Sequence, residues 1–249
     1  NYSLEEISEV SKGTRWFQLY VYRDRGITLD LIKRAEAVGC KALVITVDAA
    51  TIGTREQDRA LRFHLPNHLT LGNFKGQKQG LLGDSDKDSA LAQYVQEQLD
   101  PSLTWHDLNW LIQQTNLPVI IKGIIRADDA QRAFACGAAG IVVSNHGGRQ
   151  LDTAPPTAIA LPAIVDAVAD QGLIFVDGGI RRGTDILKAL GMGAHGVLLG
   201  RPVLCGLTYN GAQGVASVLN LMKAELEEAM KLCGCPNLQA INKKLLRDS

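Results

Sequence analysis

The chain has 249 residues, 46% of them hydrophobic and 5% aromatic, and its 26 basic and 26 acidic residues cancel. That suffices for one substantial core, and the even charge balance argues against nucleic acid or an anionic membrane surface as partner. No apolar run nears the roughly 18 residues of a membrane span. The opening Asn1-Tyr2-Ser3-Leu4-Glu5-Glu6 lacks the basic and apolar regions of a signal peptide, so a cytoplasmic protein is expected. Five cysteines (Cys40, Cys136, Cys205, Cys233 and Cys235) favour reduced thiols over a disulfide framework. Cys233-Gly234-Cys235 lacks the second pair that a structural zinc site needs, so no metal is expected.

Along the chain, the first strand is expected at Trp16-Phe17-Gln18-Leu19-Tyr20 and a helix over 27–38. Gly39 then leads into the apolar run Ala42-Leu43-Val44-Ile45 ending at Thr46. Residues 70–103 form a long polar stretch with one short helix expected near 89–99; loops of this size are typically lids or disordered. A helix over 104–115 precedes the strand Pro118-Val119-Ile120-Ile121-Lys122, and a helix over 126–136 leads through Gly137 to the strand Gly140-Ile141-Val142-Val143. Helices over 157–170 and 182–192 flank the strand Leu173-Ile174-Phe175-Val176-Asp177, and Gly193 opens a last run, Gly196-Val197-Leu198-Leu199-Gly200. The C-terminal pattern over 212–233 is amphipathic and helical, suited to packing on the exterior.

A unit recurs three times: a helix end, a glycine at 39, 137 or 193, then a short continuous apolar run. The glycine closes the helix in the left-handed conformation, and such a run is a strand buried on both faces, so the repeat predicts a parallel sheet. Polar residues close five of these strands, at Tyr20, Thr46, Lys122, Ser144 and Asp177. In a (β/α)8 barrel all carboxyl ends meet at one mouth, whereas an open doubly wound sheet gathers its ligand at one switch point. The pattern favours the barrel. Six strands rather than eight lead to the expectation of a single domain over 1–249, a TIM barrel lacking its first two βα units, from the C-terminal three quarters of a larger protein.

Three groups of residues carry chemistry. Val176-Asp177-Gly178-Gly179-Ile180-Arg181 and Leu199-Gly200-Arg201-Pro202 place glycine amides and arginine forks beyond the last two strands, the usual phosphate site of such barrels. Gln18, Thr46, Lys122 and Ser144 are hydrogen-bonding side chains at strand ends that suit a flat polar heterocycle. Lys122, closing an apolar run, either meets an anionic partner or snorkels to the rim. Beside a flavin's pyrimidine edge its charge would stabilise the anionic reduced ring.

The third group is Tyr20, Arg55, His146 and Arg149, with Asp48. Two arginines can hold a carboxylate, a tyrosine hydroxyl can bond a substrate oxygen, and His146 can take a proton near neutral pH. Asp48 would hold the imidazolium so formed, although for Asp48 and Arg55 an ordinary surface ion pair accounts equally well for their presence.

With Phe17-Gln18-Leu19-Tyr20, Thr46-Val47-Asp48, Gly53-Thr54-Arg55-Glu56, Ile121-Lys122-Gly123, Ser144-Asn145-His146-Gly147-Gly148-Arg149-Gln150-Leu151-Asp152, Val176 to Gly183 and Gly200-Arg201-Pro202 in order, the chain resembles the FMN-dependent α-hydroxy acid oxidase and dehydrogenase family. That family includes glycolate oxidase, lactate oxidase and flavocytochrome b2. The resemblance implies FMN as cofactor, His146 as base, Arg55 and Arg149 on the substrate carboxylate, and Tyr20 on the substrate. It further implies Lys122 beside the flavin, with Gln18, Thr46 and Ser144 bonding its ring. Asp177 would bond the ribityl chain, and Gly179, Arg181, Gly200 and Arg201 the region of its phosphate. The long loop matches the family's variable loop.

The implied reaction is oxidation of a small L-2-hydroxy acid, of the glycolate or L-lactate class, to its 2-keto acid, with oxygen or another acceptor taking the electrons. Two routes fit: His146 takes the α-proton to leave a carbanion, or takes the hydroxyl proton while hydride leaves. By the same resemblance the protein is a homo-oligomer, a tetramer. Relative to the family pattern, two βα units, a tyrosine, a Pro-Thr-Ala flavin loop and a serine would precede Asn1, and the turn Asp48-Ala49-Ala50-Thr51 departs from the usual Pro- and Arg-containing version. Alternative readings are another phosphate-binding barrel enzyme, such as an FMN-dependent isopentenyl diphosphate isomerase, or an inactive barrel fragment that retains no flavin.

Overall fold

In the computed structural model, which describes residues 2–51, 53, 71–74 and 98–246, six strands alternate with helices. The strands are β1 (Trp16–Leu19), β2 (Ala42–Thr46), β3 (Val119–Ile124), β4 (Gly140–Val143), β5 (Leu173–Val176) and β6 (Gly196–Val197). The main helices are α1 (Leu4–Val10), α2 (Arg25–Ala37), α3 (Trp105–Ile112), α4 (Ala127–Ala135), α5 (Thr157–Val168), α6 (Gly183–Gly191) and α7 (Arg201–Leu232). The strands hydrogen-bond in sequential order, β1 to β6. The pairs β1–β2, β4–β5 and β5–β6 are parallel.

The chain divides into two compact units: residues 1–121, 136–138 and 149–152, and residues 122–135, 139–148 and 153–249. In the first, Trp16 pairs with Ala42 and Leu19 with Ile45, and the Leu43 amide donates to the Pro118 carbonyl. All five β2 residues are buried. Leu19, Ile32, Leu43, Ile45, Leu111 and Ile121 form the core beneath this strand. The helices start where the sequence offers caps. Asp24 accepts from Gly26 N at the start of α2, and Thr104 and Asp107 form a reciprocal capping box on α3.

In the second unit, Gly140 pairs with Leu173 and Val143 with Val176, and the Ser144 amide donates to the Ile124 carbonyl. Every β4 residue is buried. Ile141, Val142, Val143, Leu161, Ile164 and Ile174 make up this core. A smaller cluster joins Leu187 of α6 to Cys235 and Ile241.

The repeated helix, glycine and strand unit is present three times, with Gly39, Gly137 and Gly193 at φ 77°, 93° and 102°. A side chain there would be strained, which is why the repeat carries glycine at that step. Three elements differ from expectation. Helix α1 was not anticipated; its signal was the capping box in which Ser3 Oγ accepts from Glu6 N and Ser3 N donates to Glu6 Oε2. The helix expected over 212–233 is present as the second part of α7, and a helical segment from Arg201, with Pro202 in its first turn, is added before it; the backbone leaves the helical region between the two at Asn210 and Gly211. The last strand shortens to Gly196–Val197. Of the 70–103 stretch, only residues 71–74 and 98–103 are described. Its expected helix near 89–99 thus falls almost wholly outside the described residues.

Candidate active site

The second unit builds one polar cluster at consecutive strand ends. Lys122, in β3, donates to Ser144 Oγ at 2.8 Å and pairs with Asp177 Oδ2 at 3.2 Å. Ser144 follows β4 and is fully buried, and Asp177 follows β5 with its amide on the Val143 carbonyl. Ladder bonds of the sheet therefore hold the backbone under each of these side chains. Lys122 follows the apolar Val119-Ile120-Ile121, and the anionic partner of its half-buried ammonium is Asp177.

The other Asp177 oxygen, Oδ1, is buried with no hydrogen-bond partner. A carboxylate oxygen left so is costly, and it calls for a donor such as a hydroxyl.

His146 comes two residues after Ser144. Its amide donates to Ser144 Oγ at 3.1 Å, so that oxygen accepts from both Lys122 and His146, leaving its own hydrogen for a further acceptor. His146 adopts φ 56°, a left-handed conformation that costs a β-carbon-bearing residue about 1–2 kcal/mol. Strain of this kind persists only where the surroundings impose it. Here the Gly148 amide donates to Asn145 O at 3.0 Å, and Asn145 Nδ2 donates to the Pro155 carbonyl at 3.2 Å. Arg201 donates to the Gly147 carbonyl at 2.9 Å.

Beyond β5, Gly179 is open and exposed, and Arg181 is exposed. The first amides of α6 are already taken: Asp185 accepts from Arg181 N and Arg182 N, each at 3.0 Å, and Glu225 accepts from Gly183 N at 2.8 Å. That helix start thus offers an anion little. Helix α7 starts at Gly200 with no side-chain cap, leaving a helix N-terminus beside the Arg201 guanidinium, the combination that binds phosphate.

The first unit brings together Gln18 and Thr46, with Gln18 Nε2 donating to Thr46 Oγ1 at 2.9 Å. Tyr20 stands one residue past β1 and Asp48 two past β2, both half-buried, and Arg149 is exposed. Arg55 lies outside the described residues. The sequence reading missed Gln150 and Thr157. Thr157 Oγ1 donates to the Asp177 carbonyl at 2.6 Å, and Gln150 Nε2 donates to the Thr51 carbonyl at 2.8 Å. Gln150 stood inside the quoted motif, but its only signal was its position beside Arg149.

The cluster fits FMN: a carboxylate oxygen awaiting a hydroxyl, a half-buried lysine and a buried serine for ring heteroatoms, and an uncapped helix start with an arginine for phosphate. A family model described as FMN-dependent dehydrogenase matches residues 1–248. The chain belongs to this family.

Among similar proteins, glycolate oxidase 3 of Arabidopsis thaliana is 49% identical over 241 residues, covering 97% of this chain and 65% of the relative. L-lactate oxidase of Nostoc sp. is 50% identical over 248 residues, covering 98% and 68%. 2-Hydroxyacid oxidase 1 of Mus musculus is 47% identical over 251 residues, covering 98% and 67%. The chain therefore spans about two thirds of the length of these relatives. Among solved structures, mandelate oxidase with (S)-4-hydroxymandelic acid is similar at a TM-score of 0.90 and 44% identity, over 96% of this chain and 67% of that one. A tyrosine-to-phenylalanine variant of mandelate oxidase with a C4a-OH-FMN adduct matches at 0.84 and 43%, over 96% and 65%.

Among the described residues, no three His, Cys, Asp or Glu side chains group as metal ligands, and no helix is long and apolar enough to cross a membrane. All five cysteines are free thiols.

Proposed function

We propose that this chain carries the cofactor and substrate machinery of an FMN-dependent oxidase of small L-2-hydroxy acids, of the glycolate or L-lactate class. The observation that carries the reading is the Lys122–Ser144–Asp177 cluster, with its unpartnered Asp177 oxygen and with His146 tied by its amide to the same serine. Relatives named for glycolate, L-lactate and 2-hydroxy acid oxidation support the substrate class. When bound, FMN accepts the two electrons released as the hydroxy acid becomes a keto acid and passes them to oxygen or another acceptor.

In this reading the chain's own groups do the following. Gln18, Thr46 and Ser144 bond the flavin ring, and Lys122 places its charge beside it. Asp177 accepts from a ribityl hydroxyl, while Gly179, Arg181, Gly200 and Arg201 hold the phosphate region. Arg55 and Arg149 grip the substrate carboxylate, Tyr20 bonds the substrate, and His146 takes its proton, with Asp48 stabilising the imidazolium. The isomerase reading fits less well, since a diphosphate substrate gives no reason for a histidine base beside arginines suited to a carboxylate.

The same reading makes the six-stranded sheet the greater part of a (β/α)8 barrel, supported by the 0.90 TM-score to mandelate oxidase. The domain in this reading is one over 1–249. We place the protein in the cytoplasm, which its five free thiols favour, and as a homo-oligomer, a tetramer, for which exposed Leu204, Leu207 and Leu221 on α7 offer apolar surface.

The test is anaerobic addition of glycolate or L-lactate to the FMN-loaded protein. Bleaching of the flavin absorbance is expected, and His146→Gln should keep the flavin but lose the bleaching. No bleaching by any small 2-hydroxy acid overturns the reading.

A further inference from the structure

Within the first unit, one carboxamide ties two loops together. Gln150 Nε2 donates to the carbonyls of Thr51 at 2.8 Å and Asp48 at 3.2 Å, while its Oε1 accepts from Gly53 N at 3.1 Å. Both N–H groups and the carbonyl of this head are spent on the backbone of residues 48–53. A primary amide alone among side chains offers two donors and an acceptor in one plane, so the residue type matches the task.

The two backbones also touch. A Cβ on Gly53 would overlap the Gln150 carbonyl oxygen and lie 2.6 Å from the Arg149 carbonyl oxygen and 2.6 Å from Gln150 Cα. Only a residue without a side chain permits that approach.

Each tied segment leads to an arginine. Arg149 immediately precedes Gln150, and Arg55 follows Gly53 by two residues in sequence. From this we propose that Gln150 is a positioning residue for Arg149, fixing the segment that carries this carboxylate-binding arginine against the backbone of residues 48–53. The proposal rests on the 2-hydroxy acid reading above. A planar guanidinium holds a carboxylate only in a narrow range of positions, and a displacement near 1 Å costs about a hundredfold in rate. Three hydrogen bonds to backbone hold the segment of Arg149 in place without putting another charge beside its cation.

The experiment uses the FMN-loaded full chain. Binding of oxalate, a carboxylate that cannot be oxidised in this reaction, is followed by the change in flavin absorbance, and KM and kcat are measured with glycolate and L-lactate. In Gln150→Leu we expect the oxalate Kd and the KM to rise about tenfold or more, kcat to fall less, and the FMN Kd to stay within about threefold. Gln150→Glu should recover oxalate binding in part as the pH falls through the carboxyl range, since a protonated acid donates to one of the two carbonyls; Gln150→Leu should not. Gly53→Ala strains the same contact from the other loop and should raise KM likewise.

Unchanged oxalate affinity and KM in Gln150→Leu overturn the proposal. So does a fall in FMN affinity that parallels the loss of oxalate, which would make Gln150 a general support of the fold. Failure of the wild-type protein to bind oxalate or to be bleached by any hydroxy acid is a separate outcome, which overturns the functional reading and this proposal together.

Discussion

Ser144 shows how much can rest on one hydroxyl. Its oxygen accepts from Lys122 Nζ and from the His146 amide inside a fully buried position. Ser144→Ala removes both bonds at once and leaves a partly buried ammonium and a backbone N–H without that acceptor. Stranded donors of this kind cost about 1–3 kcal/mol each. We expect a lower urea midpoint at unchanged slope and a weaker FMN affinity. Ser144→Ala that matches wild type on both measures would show that the hydroxyl supports neither group. The sequence raised the question at Lys122, because an ammonium closing Val119-Ile120-Ile121 either meets an anion or snorkels to the rim. That it meets an anion, and that the anion is Asp177, 55 positions further on, followed only from the fold, which brings the residue after β5 to a side chain of β3 across the intervening β4.

Among the elements, α1 is held by an ion pair whose pH dependence is predictable. Arg34 of α2 donates from Nε to Glu5 Oε1 at 2.8 Å and from Nη2 to Oε2 at 2.9 Å, and from Nη1 to the Asn73 carbonyl at 2.8 Å. Hydrogen bonding to the Arg34 side chain is the main cause that holds the Glu5 carboxyl down to about 2, from an ordinary value of 4.5. A carboxyl depressed by folding adds stability that is complete above its unfolded value and is lost as the pH falls from there through the folded one. The α1 contact should therefore weaken between pH 4.5 and about 2. Glu5 is 46% exposed, so solvent screening limits the pair to about 1 kcal/mol or less. Urea unfolding of wild type and Glu5→Gln should differ near pH 6 and converge toward pH 2; a gap independent of pH would remove Glu5 as its source. The Asp30 contact one turn away, at 3.6 Å, is a helix-spacing pair that sequence suggests, but nothing in the sequence tells Arg34 to reach back 29 positions to Glu5 as well.

For the whole molecule, FMN that binds the folded chain alone must stabilise it by mass action. At a concentration about one hundred times its Kd the gain is about 2.7 kcal/mol, which for a chain of this size raises Tm by about 5–11 °C. A titration by scanning calorimetry should show Tm climbing with the logarithm of FMN concentration. A Tm indifferent to FMN would mean that the cluster around Asp177 does not hold the cofactor.

Much of this molecule was readable before any fold was in view. Continuous apolar runs after the glycines at 39 and 137 specify the buried parallel strands β2 and β4, because a strand covered on both faces has no polar side to alternate with. The motif from Ser144 to Asp152 likewise announced a base beside a cation, since those side-chain chemistries are set by residue type. What the sequence left open was contact. Which carboxylate meets Lys122, that Glu225 takes the Gly183 amide, and that Gln150 clasps the backbone at Thr51 all depend on contacts across 42 to 99 positions of chain. Such partners are chosen by strand register and loop packing, so only the tertiary structure decided them.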